Sequence, residues 1–186
     1  MDDQQIINLY LNRNEQAISE SSAKYGRYCT RIAMNVLRNS EDSEECVNDT
    51  WMASWNSIPP QVPRILKAFF GKITRNLSLK KWEAEHAAKR GGGEVPLVLD
   101  ELQECVEDQR IAGWSADGAV IKDVLNDFLK DLPEDARRLF VRRYFEMEPV
   151  KDLALDFSFS ESKVKMTLLR TRKSLAERLI KEGIEV

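Results

Sequence analysis

Cationic and aromatic side chains, rather than a catalytic constellation, carry the chemistry legible in this sequence. Between residues 64 and 82, Arg64, Lys67, Arg75, Lys81 and Trp82 share a helical arc at 100° per residue. Leu66, Phe69, Phe70, Ile73 and Leu77 fall on another arc and are expected to face a core. Lys72 and Lys80 add charge to the same stretch, and Asn76 adds an amide. A lysine and arginine strip follows phosphates, an indole offers a stacking face and an amide pairs with a base edge; together they suit unpaired nucleic acid. Helix-end packing accounts for Trp82 equally well. Near the C-terminus, Ser162, Lys163, Lys165 and Met166 point away from the stripe Val164, Leu168, Leu175 and Leu179, with Arg170, Arg172 and Lys173 further along. Lysines there can meet phosphates or guanine O6/N7, the serine can donate to a phosphate or base edge, and the methionine can touch a thymine methyl. An outer face made basic only for solubility explains the charge as well; the short helix and tight turn before it favour DNA. A third group is acidic, Glu41 to Asp49, whose first half is explained by capping and helix-dipole chemistry.

Other chemistries are excluded by type and spacing. Gly91-Gly92-Gly93 follows a helical segment, whereas a phosphate loop follows a strand, and neither a GxSxG elbow nor an HExxH pair is present. The three cysteines, Cys29, Cys46 and Cys105, lack metal-ligand spacing, and the single His86 cannot complete a ligand set. No enzyme, no metal and no cofactor is expected, and the thiols are expected to be reduced.

The elements that must position these groups are helices, because apolar residues recur at three- and four-residue steps and strict alternation is absent. The pattern predicts helices over about 4–11, 15–37, 40–58 (with Ser40 as N-cap), 64 onward, 116–132, 133–145, 149–156 and 160–181. Pro59, Pro60 and Pro63 stiffen the approach to the fourth. The last two, joined by Ser158-Phe159-Ser160, have the pattern of a helix-turn-helix.

At 186 residues and 42% hydrophobic composition, the chain is long enough for one medium or two small domains. No run approaches the roughly 18 apolar residues a membrane span needs. Met1 to Gln5 is acidic and polar where an export signal is basic and then apolar, so a cytoplasmic location without membrane insertion is expected. Net charge is -3, but residues 1–61 hold 5 basic and 9 acidic side chains, residues 62–90 hold 8 and 2, residues 91–135 hold 3 and 12, and residues 136–186 hold 12 and 8. Two basic blocks flanking an acidic one predict two anion-facing domains, 1–90 and 116–186, joined by an acidic linker over 91–115.

The residues that carry these signals resemble the sigma factors of bacterial RNA polymerase, in the extracytoplasmic-function group that keeps only regions 2 and 4. Asp42-Ser43-Glu44-Glu45-Cys46-Val47-Asn48-Asp49-Thr50-Trp51-Met52-Ala53-Ser54-Trp55 is similar to the family's D-A-E-D-L-V-Q-E/D-x-F-x-x-x-W helix, which docks on the clamp of the polymerase β and β′ subunits. Phe69-Phe70-Gly71-Lys72-Ile73-Thr74-Arg75-Asn76-Leu77 is similar to its W-L-x-x-I-A-R-N-x, which opens the promoter at the minus-ten element. Leu132-Pro133-Glu134 onward and Ser160 to Leu175 resemble the part that binds the minus-thirty-five element. The resemblance implies an all-α fold of two helical domains, polymerase contact by Asp42, Glu45 and Asp49, and minus-ten contact by Arg64, Lys67, Lys72, Arg75, Asn76, Lys80, Lys81 and Trp82. It also implies upstream contact by Ser162, Lys163, Lys165, Met166, Arg170 and Arg172. Core polymerase and promoter DNA are the implied partners, and the resemblance leaves room for an anti-sigma factor.

Phe69 stands where the family has Trp and Cys46 where it has Leu, swaps that keep an apolar side chain. Met166-Thr167 replaces a frequent Ser-Arg and alters the reading head. A stand-alone helix-turn-helix regulator, with N-terminal helices for dimerisation or effector binding, is the competing reading.

Overall fold

The computed structural model describes residues 1–86, 95, 97, 98, 101 and 118–182, and all regular structure among them is helical. The chain forms two compact units, Met1–Gly91 and Gly92–Val186. In the first, α1 (Asp3–Leu11), α2 (Gln16–Leu37), α3 (Ser40–Ser57) and α4 (Leu66–His86) follow the expected segments within two residues. Asp2 starts α1 with a capping box, its carboxylate accepting from the Gln5 backbone while the Gln5 side chain accepts from Asp2 N–H. The cap of α3 is Asn39, not Ser40: its Oδ1 accepts from the amides of Glu41 and Asp42, leaving Ser40 as the first helical residue.

Helix α2 packs against α3 and α4, which also pack against each other, and α1 lies on α2. Phe70, fully buried, is the centre. Its ring meets Trp51 edge-on at 5.3 Å and tilted Tyr25 and Tyr10 rings at 5.5 and 6.4 Å. Burying such a ring contributes about 1.5–3 kcal/mol, and the edge-on geometry sets its positive rim against a negative face.

The buried face of α4 differs from the expected one. Leu66, Phe70, Thr74 and Ser78 are fully buried, whereas Phe69, Ile73 and Leu77 are only half-buried. Small hydroxyl residues line the α3–α4 contact because they allow the backbones to approach and satisfy themselves locally. Thr50 donates to the Cys46 carbonyl, Thr74 to the Phe70 carbonyl and Ser54 to the Thr50 carbonyl, and the Thr50 and Thr74 hydroxyls lie 3.0 Å apart. Gly71 serves the α2 side of the same helix, where an added Cβ would stand 2.6 Å from Tyr28 Oη.

The second unit holds α5 (Gly118–Asp131), α6 (Glu134–Tyr144), α7 (Val150–Asp156) and α8 (Glu161–Lys181). Pro133 and Pro149 occupy the cap positions of α6 and α7, where a missing N–H costs nothing. Ser160 caps α8 by accepting from Lys163 N–H at 3.2 Å. The predicted stripe Val164, Leu168, Leu175 and Leu179 is buried, against α5, α6 and α7. Of the expected linker 91–115, only residues 95, 97, 98 and 101 are described, and all four are helical; the Gly91-Gly92-Gly93 run and Cys105 lie outside the described residues. Val95 and Val98 are buried, and Glu101 is bonded into the second unit.

Candidate nucleic-acid interfaces

On α4, Lys72, Asn76 and Lys80 stand exposed one turn apart, so an amide is flanked by two ammonium groups on a single stripe. Arg64 is exposed in the approach to the helix. Lys67 is exposed as well, its ammonium 4.6 Å from the Tyr28 ring centroid. Trp82 is half-buried at the far end.

Two expected members of this strip are placed differently. Arg75 is sunk against α2, where burial lowers its pKa and the nearby Tyr28 partly offsets the effect. Its position, one residue after fully buried Thr74, keeps it from the open stripe. Lys81 turns to α3: its ammonium lies 2.6 Å from Asp42 Oδ1 and also bonds Glu45. These bonds, to Asp42 first, raise its pKa. A lysine expected at DNA and two carboxylates expected at the polymerase thus meet each other. The pair joins α4 to α3 and still leaves Glu45 mostly open to solvent, its side chain 65% exposed. Glu41, Glu45 and Asp49 form an exposed acidic row, continued by Met52.

At the start of α8, Ser162, Lys163, Lys165, Met166 and Arg170 are exposed. Lys165 lies 3.9 Å from Glu161 one turn back, an exposed pair worth a few tenths of a kcal/mol. The Lys163 ammonium sits over the Phe159 ring. Arg172 is a correction: it is 7% exposed, donates to Tyr144 Oη at 2.7 Å and lies 3.5 Å from Glu101 Oε2. Residue 172 falls between Leu168 and Leu175 on the buried stripe, so its guanidinium points into the unit and not at a groove.

That interior holds a polar network which the sequence reading missed. Fully buried Arg143 donates to both carboxylate oxygens of Glu101, at 2.8 and 3.1 Å, and to the Glu148 carbonyl at 3.0 Å. Tyr144 donates to Glu101 at 2.9 Å, and burial, then the Glu101 charge, raises its pKa. No local pattern links residue 101 to residue 143. The period of α8 could have revealed Arg172. Among the described residues, no group of three or more His, Cys, Asp or Glu side chains gathers to hold a metal.

The first unit is therefore an all-α domain with an acidic row on one helix and a lysine-flanked amide on the next, a layout fitted to a basic protein surface and to nucleic acid. The family model for Sigma-70 region 2 matches residues 23–87, from within α2 to the end of α4. That match lies within the first unit and ties this domain to the sigma-70 family. No curated protein matches the chain. No helix among the described residues is long and apolar enough to cross a membrane.

Proposed function

We propose that this protein is a sigma factor of the extracytoplasmic-function group, a dissociable, non-enzymatic initiation subunit that brings core RNA polymerase to promoters. The observation that carries this reading is the match to Sigma-70 region 2 over a domain whose α4 presents Lys72, Asn76 and Lys80 on one exposed stripe. In this reading residues 1–90 act as region 2. Glu41, Glu45 and Asp49 on α3 meet the basic clamp of the β and β′ subunits. The α4 stripe tracks the non-template strand, and Asn76 together with the proline-rich approach 59–64 holds an extruded base. Extrusion gives up a few kcal/mol of stacking, which amide hydrogen bonds and a stacking surface offset in part.

The second unit acts as region 4. Its α7–α8 helix-turn-helix lays the exposed start of α8 in the major groove of the minus-thirty-five element. Ser162, Lys163 and Met166 are assigned to base edges; Lys165 and Arg170 are assigned to the backbone. Work at the promoter places the protein in the cytoplasm, with an anti-sigma factor as a further partner.

The test is transcription in vitro with core polymerase on a promoter library. Defined starts that need both the chain and core polymerase are expected, with Asn76→Ala reducing open-complex formation more than closed-complex binding. A footprint on a palindrome by the chain alone, without stimulated transcription, would instead establish the stand-alone regulator. Glu45→Lys with Asp49→Lys tests the docking row separately.

A further inference from the structure

The turn between α7 and α8 holds a row of stacked groups that leads to one side chain of the reading head. Arg138 and Arg142 of α6 place their guanidinium carbons 4.9 and 5.6 Å from the Phe157 ring centroid. Arg142 is itself fixed, its Nε donating to Glu148 at 2.6 Å and its Nη2 bonding Glu148 and Asp156. The Phe157 ring lies 5.9 Å from that of Phe159, and Ser158 between them turns the chain with φ 53°. The Lys163 ammonium then stands 3.3 Å from the Phe159 centroid, well inside cation–π range. Both rings are half-buried, while Lys163 is exposed on the first turn of α8, whose backbone is fixed by the Ser160 cap.

A free lysine has a flexible four-carbon stem and meets any phosphate or acceptor within reach as a point charge. A lysine seated on a ring has given up most of that choice before it meets DNA. We propose that Phe159 is a positioning residue for sequence readout: its ring holds Lys163 at one place in the groove, so that preference at the base pair facing this turn is set by the Phe159–Lys163 pair. The inference rests on the reading of α8 as the upstream-element helix and deepens it. An exposed cation–π contact shifts the population of the held conformer by about two- to fivefold, which sets the size of the effect.

The experiment uses the full chain with core polymerase and a promoter library randomised over the upstream element, read by transcript sequencing, for the parent, Lys163→Ala, Phe159→Leu and Phe159→Tyr. Phe159→Leu is expected to lose about two- to fivefold of preference at the same base position that Lys163→Ala relaxes, with other positions unmoved, and Phe159→Tyr is expected to keep it. A purely structural role for Phe159 weakens all sequences alike, and that result overturns the proposal. So does an unchanged preference in Phe159→Leu, or in Lys163→Ala. Absence of core-dependent transcripts from the parent removes the sigma-factor reading itself, and the inference with it, before any variant is compared.

Discussion

Replacing Glu101 by Gln should destabilise the second unit far more than a surface substitution does. Gln keeps the shape of Glu but exchanges a carboxylate oxygen for an amide donor, facing Arg143 at 2.8 and 3.1 Å, Tyr144 at 2.9 Å and Arg172 at 3.5 Å. Arg143 has no exposed surface and Arg172 almost none, so neither guanidinium can recover its hydration without opening the unit. Removing one partner of a buried pair costs about 3–5 kcal/mol. The 18% exposure of the Glu101 side chain and the extra bond from Arg143 to the Glu148 carbonyl bring the expectation to the lower end, about 2–3 kcal/mol. For a unit of this size, 1 kcal/mol shifts Tm by about 4–8 °C, so a fall of about 10–20 °C is expected. Calorimetry on the full chain should show one transition moving while the other stays. Arg143→Met added to Glu101→Gln should cost less than it does alone, because the two side chains act as a pair. A shift below about 3 °C would refute the argument, since it would mean that the guanidiniums keep their charge satisfied without Glu101.

Gly71→Ala should cost about 1–3 kcal/mol by pushing a methyl against Tyr28, whose Oη would lie 2.6 Å away; Tyr28→Phe in the same background should recover part of the loss in urea unfolding. Burial pushes the Cys29 thiol up to about 11, only partly offset by Thr74. The fold therefore favours the neutral thiol, and its contribution, up to about 3 kcal/mol, is complete below pH 9 and lost as pH rises from 9 to about 11. A comparison of parent and Cys29→Ala stability at pH 8 and 10.5 checks this, the fall being steeper for the parent. Glu45→Lys with Asp49→Lys should weaken core-polymerase retention at least about tenfold at low salt, with the gap narrowing as salt rises and helicity unchanged; unaltered retention would move the interface elsewhere.

Local rules suffice for most of the fold. Periodicity, the Ser160 cap and prolines at 59, 60, 63, 133 and 149 act within a turn or two of chain, which is why the boundaries of α1 to α8 are legible and the motif spacing on α3 and α4 exposes the resemblance to region 2; the helical residues 95, 97, 98 and 101 lie where the weak periodicity reads as linker. The same is true of Ser162, Lys163, Lys165 and Met166, exposed because the alternate face of α8 is apolar.

Contacts between helices decide the rest. Side-chain type gives no indication that Lys81 will pair with Asp42, 39 positions away, or that Arg75 will sink beside Tyr28. Small hydroxyls at Thr50, Thr74 and Ser78 let α3 and α4 approach, and that approach rotates the buried face of α4 away from the arc that hydrophobicity alone selects. Arg172 reads as a DNA contact by charge and becomes an interior group by geometry, because burying two arginines is tolerable only beside a carboxylate, and Glu101 arrives from outside the helix-turn-helix. A sequence determines which residues can be charged, apolar or capping; which charges neutralise one another, and so which remain for a partner, is settled only when the helices meet.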